Sequence, residues 1–585
     1  MENNGDLDLN CHATGDVRLD TAIYQWIKWD KNPKTRAQIE ALLLDGQVEE
    51  LRRRLCSRMT FGTAGLRAAM GAGFALINDL TIIQSTQFGA KAKRNMNFSV
   101  MLCKDIPVFL FSTYVPTPFV PYAVKRLGAA AGVMVTASHN PKEDNGYKVY
   151  WHNGAQISSP NDKEILKCIE ESSEPWSESW NESLADNSPL RSDPLREISK
   201  KYMEDLSSVC FHRELNTKSP LKFVHSSFHG VGHDYVQQAF RAFGFPPPIP
   251  VPEQKDPDPN FSTVSCPNPE EGESVLELSL RLAERENATI VMATDPDADR
   301  LAVAEQSDRC GWKVFTGNEL AALLGWWMLF NWKETHSDPA DRERMYMLAT
   351  TVSSKILKAF ARIEGFHFEE TLPGFKWIGK KIHELAKTGN EVIFAFEESI
   401  GFLCGSMVPD KDGVSAAVVV AEMASYLYNK NLTLNQQLEN IFEIYGYHIS
   451  TTSYVICHDP PTVKRIFTRL RNFEGENTYP RSSGGHSIVD VRDVTTGYDS
   501  SQPDKLCVLP MTKSSEMITF TLQNGIVATL RTSGTEPKIK FYTEFCARPG
   551  KSDISSLEEE LKKVTDTLVE EFLEPDKNNL IRRSI

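Results

Sequence analysis

Short apolar runs bounded by small or polar residues recur along this chain, and they read as buried strands of α/β units. Val108-Phe109-Leu110-Phe111 and Gly132-Val133-Met134-Val135 come first, then Val149-Tyr150-Trp151 and Leu221-Lys222-Phe223-Val224-His225. Thr289 to Ala293 and Leu301 to Ala304 bracket a charged turn, and Val392 to Phe396, Ile526 to Leu530 and Ile539 to Tyr542 follow. Between them the apolar spacing lengthens to three and four residues, the helical period. It predicts helix from Asp20 to about Arg54, with Trp26, Trp29, Ile39, Leu42 and Leu43 facing inward. It predicts further helices from Asp162 to Glu171, through Val236 and Phe240, from Gly317 to about Trp332, and from Ser555 to Leu573. The stretch Leu323 to Phe330 reads as a buried helix, too short to span a bilayer. Ser172 to Pro194 is polar and reads as surface loop; the prolines near Pro246–Pro252 and Asp256–Pro259 make rigid loops.

One segment breaks the pattern. Leu80 to Gln87 begins as a helix, but Phe88 to Asn97 has neither helical nor strand period and runs on toward Val108. From its residues the stretch reads as irregular.

The 585 residues suffice for roughly three to five domains. A net charge of −14 argues against a nucleic-acid binder or a basic membrane-surface protein, though a local Arg/Lys cluster can still hold a phosphate. The 11 cysteines are scattered, with no C-x-x-C pair, which predicts reduced thiols in a cytosolic protein. The polar start, Met1 to Asp6, has no apolar signal core.

The chemistry-bearing residues sit where the strands end. Thr136-Ala137-Ser138-His139-Asn140-Pro141 follows the Val135 strand, and Pro141 blocks an immediate helix. Ligands bind at such strand ends in open α/β sheets, and a hydroxyl beside His139 and near Lys148 can be a nucleophile or phosphate carrier. Asp295-Pro296-Asp297-Ala298-Asp299-Arg300 puts three hard oxygen ligands on one turn between apolar strands. Without a cation they would repel one another. It is no EF-hand, lacking the turn Gly and closing Glu. Phe61-Gly62-Thr63-Ala64-Gly65-Leu66-Arg67 lets backbone amides and Arg67 approach an anion. Leu372 to Trp377, with Lys376, precedes Glu397-Glu398-Ser399, whose Glu and Ser suit vicinal sugar hydroxyls. In Arg531-Thr532-Ser533-Gly534-Thr535 a guanidinium fork meets hydroxyl and amide donors, a phosphate nest. Each loop alone also reads as a polar turn.

In that chain order the loops resemble those of the α-D-phosphohexomutase superfamily, over nearly the whole chain from about Gln25, and within it the phosphoglucomutase-2-like branch. The resemblance implies an α/β fold: three related α/β domains plus a smaller C-terminal α+β domain around a central cleft, with the first domain truncated. The family's longer span between the helix after Leu80 and the strand at Val108 is replaced here by Phe88 to Asn97, and a strand and a helix are expected to be absent, leaving the first sheet short of an internal strand. The expected domains are 1–208, 209–320, 321–438 and 439–585. It further implies that Ser138 carries the phosphoryl group, that Asp295, Asp297 and Asp299 bind Mg²⁺ with the Ser138 phosphate, and that Arg300 steadies it. His139 and Lys148 would handle protons, Glu397 and Ser399 read the sugar, Arg531, Ser533, Gly534 and Thr535 grip the non-reacting phosphate, and Arg67 and Lys376 bind the substrate. The implied reaction makes glucose 1,6-bisphosphate from 1,3-bisphosphoglycerate and glucose 1-phosphate through a phosphoserine. A phosphoglucomutase or phosphopentomutase reaction and an inactive sugar-phosphate-binding variant are the alternatives. The implied partners are sugar phosphates, in a cytosolic monomer with no nucleic-acid or membrane partner.

Overall fold

The computed structural model describes residues 14–62, 65–91, 101–102, 104–171, 173–181, 183–264, 266–307, 311–512, 515–533, 537–550 and 553–582. The chain divides into two compact units. Unit 1 takes residues up to Cys210, Lys222–Leu301 and Met407–Val418; unit 2 takes Phe211–Leu221, Ala302–Ser406 and Val419 onward.

Unit 1 opens with helices. The expected span from Asp20 to Arg54 is three of them: α1 (Val17–Trp29), α2 (Pro33–Leu44) and α3 (Val48–Leu55). Asp16 starts α1 by accepting hydrogen bonds from Arg18 N and Leu19 N. Asn32 caps α2 ahead of Pro33, whose missing N–H suits the first turn. Leu19, Ile23, Trp26 and Ile27 form the buried stripe of α1, and Phe74 packs edge-on against Trp26 at 5.1 Å.

Then come β1 (Leu66–Ala69), α4 (Asp79–Lys91), β2 (Val108–Phe109), α5 (Phe119–Leu127), β3 (Ala131–Val135) and β4 (Asp144–Trp151). Strand β4 begins earlier than its apolar core suggests, so Asn145 to Lys148 lie on a strand rather than in the Ser138 loop. Of the Phe88 to Asn97 stretch, the backbone to Lys91 continues α4, and residues 92–97 lie outside the described residues. Helix α6 (Asn161–Glu171) is as expected. The polar stretch after it contains two short helical pieces, Ser177–Trp180 and Ser183–Asn187, and ends in β5 (Arg191–Ser192). Helix α7 (Leu195–Leu206) follows.

The first sheet is split. Antiparallel β1, β4 and β3 form one piece in the order β1-β4-β3, while β2 pairs only β5, in parallel, among the described residues. A cavity of about 960 Å³ has both Val108 to Phe111 and Ala131 to Val135 in its lining.

The second α/β layer of unit 1 has no such gap. Strands β6 (Phe223–Ser226), β7 (Ile249–Pro250) and β8 (Ile290–Thr294) are separated in sequence by α8 (Gly232–Phe243) and α9 (Glu273–Glu286). β6 lies between β7 and β8, parallel to both, so each strand-helix-strand step crosses over as a parallel sheet requires. Every residue of β6 and β8 is buried, which explains their continuous apolar runs.

In unit 2, β9 (Leu301–Ser307, its first residue still in unit 1) and β10 (Gly311–Val314) pair antiparallel. Helix α10 (Gly317–Thr335) starts at a reciprocal cap between Thr316 and Glu319 and buries most of Leu323 to Phe330. Strands β11 (Met345–Thr350), β12 (His367–Thr371), β13 (Glu391–Glu397) and β14 (Gly401–Cys404) stand in the order β12-β11-β13-β14, the last antiparallel; α11 (Phe375–Lys387) links β12 to β13. The C-terminal sheet is antiparallel: β15 (His448–Ile456), β16 (Ser482–Ser483), β17 (His486–Asp493), β18 (Tyr498–Asp499), β19 (Met517–Leu522), β20 (Ile526–Thr532), β21 (Lys538–Cys546) and β22 (Ile581–Arg582). Its order is β16-β17-β19-β20-β21-β15-β22, with β18 against β17. Helix α12 (Ile554–Leu568) covers it with Leu557, Leu561, Val564 and Leu568, and the chain continues in a wider turn to Leu573. No described helix is long and apolar enough to cross a membrane.

Candidate active site

Two loops of unit 1 meet. After β3, Ser138 takes a left-handed backbone, φ 58°, which a non-glycine residue adopts only where its surroundings impose it. Its N–H is held by Thr136 Oγ1 at 2.9 Å. Its Oγ donates to Asp295 Oδ2 at 2.5 Å and lies 3.2 Å from His139 Nδ1. After β8, Asp295 Oδ1 accepts from Asp299 N at 3.1 Å and Arg300 N at 3.0 Å. That turn aims Asp297 and Asp299 back toward Ser138, and all three carboxylates are buried.

Lys148 binds them from β4. Its Nζ, 1% exposed, donates to Asp297 Oδ2 at 2.7 Å and to Asp299 Oδ2 at 2.9 Å. Gly146, two residues earlier, lies so close to the Thr136 carbonyl that any Cβ there would clash, which keeps β4 tight against the Ser138 loop. Arg67, at the start of β1, donates from Nη1 to Asn140 Oδ1 at 3.0 Å. Arg300 faces Glu270 at 3.4 Å and Asp299 at 3.8 Å.

Three of these partners escaped the sequence reading. Thr117 donates from Oγ1 to Asp297 Oδ2 at 2.7 Å, and its N–H reaches the Asp297 carbonyl at 2.8 Å. Flanking Pro116 and Pro118 stiffen it, the one local signal it carried. Lys411 brings a second buried ammonium, 3.5 Å from Asp299 Oδ2. Asp410 accepts from the Tyr150 hydroxyl at 2.8 Å. The run Asp410-Lys411-Asp412-Gly413 leads straight into an apolar stretch, the same charged-turn signature as Asp295 to Arg300.

The electrostatics divide the roles. Burial, reinforced by Asp297 and Asp299, pushes the Asp295 carboxyl well above the usual range. For Asp297 burial works the same way, but Lys148, a hydrogen bond with the Asp295 carboxyl and Thr117 outweigh it and hold the group ionised. Lys148 is likewise disfavoured by burial, yet the two carboxylates overcome that and raise it. The two carboxylates thus favour its charged form. Burial, then the Arg300 and Arg67 guanidiniums, hold the His139 imidazole well below its normal range, so it is neutral and able to accept.

One oxygen from each of Asp295, Asp297 and Asp299 lies within 4.8 Å of the others. Oδ1 of Asp297 and of Asp299 are buried with no hydrogen-bond partner among the described residues. Orphaned buried carboxylate oxygens are costly, and a hard divalent cation is the partner they fit.

Unit 2 carries the other expected residues. Lys376 is buried in the first turn of α11, and Glu397 ends β13, with Ser399 in the turn to β14. Adjacent Glu398 is held by Thr350 and Ser353, whose hydroxyls donate to its Oε2 at 3.3 and 3.1 Å. Arg531 stands near the end of β20 opposite Lys540, and Ser533 N bonds the Lys538 carbonyl at 2.9 Å, closing the turn to β21. Gly534 and Thr535 lie outside the described residues.

Models of the phosphoglucomutase/phosphomannomutase α/β/α domains I, II and III match residues 90–176, 200–309 and 316–445. The chain belongs to this family. It is 66% identical to glucose 1,6-bisphosphate synthase from Homo sapiens, across 99% of both chains, and 54% identical to Homo sapiens phosphopentomutase, across 97% of both. The first alignment spans 616 positions against 585 residues here, so at least 31 positions of that relative face a gap in this chain. Its fold is that of a phosphoglucomutase from Paramecium (TM-score 0.64, 18% identity, 89% of this chain, 96% of that one). A phosphoglucomutase/phosphomannomutase family protein from Burkholderia thailandensis gives TM-score 0.60, 18% identity, 89% of this chain and 98% of that one.

Proposed function

We propose that the chain makes glucose 1,6-bisphosphate, moving a phosphoryl group from 1,3-bisphosphoglycerate to glucose 1-phosphate through Ser138. The carrying observation is the hydroxyl of Ser138 facing both the carboxylate cluster and a neutral imidazole, in a chain 66% identical to a synthase of that bisphosphate. In the first step Ser138 Oγ attacks the acyl-phosphate phosphorus. The bond from phosphorus to the acyl oxygen breaks, and 3-phosphoglycerate leaves with the electron pair. The hydroxyl proton passes to His139 Nδ1 and on to solvent. In the second, the sugar 6-hydroxyl attacks the phosphoserine phosphorus, Ser138 Oγ departs, and the sugar's proton reaches it through His139. Lys148 and Lys411 hold the carboxylates, while Arg67 and Arg300 bind phosphoryl oxygens; alignment and charge neutralisation are most of what such a transfer needs. Mg²⁺ held by Asp295, Asp297 and Asp299 would supply Lewis-acid neutralisation of those oxygens. Glu397 and Ser399 are assigned to the sugar hydroxyls, and Lys376, Arg531, Ser533, Gly534 and Thr535 to the non-reacting phosphate.

A mutase reading rests on the 54% identity to phosphopentomutase. Glucose 1-phosphate is assayed with 1,3-bisphosphoglycerate, and separately with trace glucose 1,6-bisphosphate, at equal enzyme concentration. Bisphosphate formation should be the faster reaction. Faster glucose 6-phosphate formation in the second assay returns the mutase reading, and no product in either leaves a sugar-phosphate-binding protein.

A further inference from the structure

Each carboxylate of the Asp295 turn has two oxygens, and the surrounding protein treats them unequally. Asp297 Oδ2 accepts from Lys148 Nζ and from Thr117 Oγ1, each at 2.7 Å, while its Oδ1 has no hydrogen-bond partner among the described residues. Asp299 Oδ2 accepts from Lys148 Nζ at 2.9 Å and lies 3.5 Å from Lys411 Nζ; its Oδ1 again has no hydrogen-bond partner among the described residues. On Asp295, Oδ1 holds the amides of Asp299 and Arg300, and Oδ2 takes the Ser138 hydroxyl, a donor that can rotate away. Every carboxylate thus has one oxygen tied to an amide or an ammonium and one that can turn to a ligand.

Thr117 grips Asp297 at two points. Its N–H bonds the Asp297 carbonyl at 2.8 Å and its hydroxyl bonds the carboxylate of the same residue. It is fully buried, and Pro116 and Pro118 restrict the backbone on either side. Hydrogen bonds to an ionised acceptor are the strong ones, so this carboxylate is held in one orientation. A carboxylate held so gives a cation one oxygen, not two. That difference matters unequally to the two common hard cations. Mg²⁺ wants six ligands in near-octahedral order, keeps several waters and needs few carboxylate oxygens. Ca²⁺ takes six to eight oxygens and commonly draws both from one carboxylate.

We propose that Thr117 at Asp297, and Lys411 in the same role at Asp299, set the metal preference of the site. By engaging the Oδ2 oxygens they hold each carboxylate to one metal-facing oxygen, which admits Mg²⁺ and disfavours Ca²⁺. The inference rests on the metal-binding role given above to the three aspartates. Thr117 and Lys411 are positioning residues: they act on the cation through the carboxylates and not by touching it.

The test is calorimetric titration of the full chain with MgCl₂ and, separately, with CaCl₂ at fixed ionic strength and without sugar phosphate. The variants are Thr117→Val, Thr117→Ser and Lys411→Met. Thr117→Val keeps the backbone bond to Asp297 and loses only the hydroxyl donor. The quantity read is the ratio of the two dissociation constants, because the positive charge lost in Lys411→Met strengthens both metals alike. Thr117→Val and Lys411→Met should each narrow the preference for Mg²⁺ over Ca²⁺ by roughly tenfold, the size of one hydrogen bond to a charged group. Thr117→Ser, which retains the hydroxyl, should keep the native ratio. An unchanged ratio in Thr117→Val, an equal shift in Thr117→Ser, or a native chain that prefers Ca²⁺ overturns the proposal. A native chain that binds neither ion removes the metal site together with the inference, whereas an unchanged ratio removes the inference alone.

Discussion

The two α/β layers of unit 1 carry the two halves of the reacting cluster, yet one sheet is whole and the other divided. Behind the Asp295 loop, β8 is wholly buried beside β6. Behind the Ser138 loop, β3 is only half-buried and ends on an exposed Val135. The loops nevertheless meet at hydrogen-bond distance. What aligns them is the set of buried bridges between the layers: Ser138 to Asp295, Lys148 to Asp297 and Asp299, and Thr117 to Asp297. A complete sheet is one way to fix a strand-end loop; charge pairing across the site is another, and here it joins two layers of which one is divided among the described residues.

The largest effect should therefore come from cutting a bridge. In Lys148→Met, Asp297 loses its buried counter-ion and Asp299 keeps only Lys411 and Arg300, and unit 1 should lose about 3–5 kcal/mol, the usual cost of stranding a buried charge. Millimolar Mg²⁺ should restore part of that by replacing the lost positive charge. An unchanged denaturation midpoint would mean that the sheets, not the bridges, hold the loops.

The second effect acts on the intact sheet. Burial, with a smaller contribution from His233, lowers His225 on β6 to about 3. Its folded form is neutral, while the unfolded chain takes up a proton below pH 6.5. The unfolded state thus binds more protons between pH 6.5 and 3, and stability falls as pH falls through that window. From pH 6.5 to 5 the loss is about 2 kcal/mol. Thermal melts of the native chain should show this slope and His225→Gln should flatten it. An equal slope in both would show that His225 does not report on the second sheet.

How much of this was legible in the sequence follows from where the information lies. The strands behind the Asp295 loop were plain because burial on both faces writes a continuous apolar run, as in Ile290 to Ala293. Strand β4 was read too short because Asn145 and Gly146 look like a turn, although their side of the sheet is set by the close approach to Thr136. Ser138 and the three aspartates, which the structure brings together, stood out because small and charged residues directly follow apolar runs. Lys411 and Thr117 could not be weighted, because their importance comes from long-range packing against Asp299 and Asp297, at separations of more than 100 residues. A shortened first domain was expected from the resemblance to the family, not from the residues after Gln87, and the split between β2 and β3 is a property of three-dimensional packing alone.

The smallest effect is the most direct measure of the contrast. Val291 on β8 and Val133 on β3 both lie inside their strands, but Val291 is fully buried while Val133 is only partly so and lines the cavity. Val→Ala removes two methyl groups in each case. At Val291 both are taken from a closed core, so the lost burial, at about 0.8 kcal/mol per group, is augmented by the void left behind, for about 2 kcal/mol. At Val133 the neighbouring space is already open, so no new void is created and the cost should stay below about 1 kcal/mol. Chemical denaturation of the two variants, each against the native chain, reads the difference. Equal losses would mean that β3 is packed as tightly as β8 and that the divided sheet carries no deficit in its core.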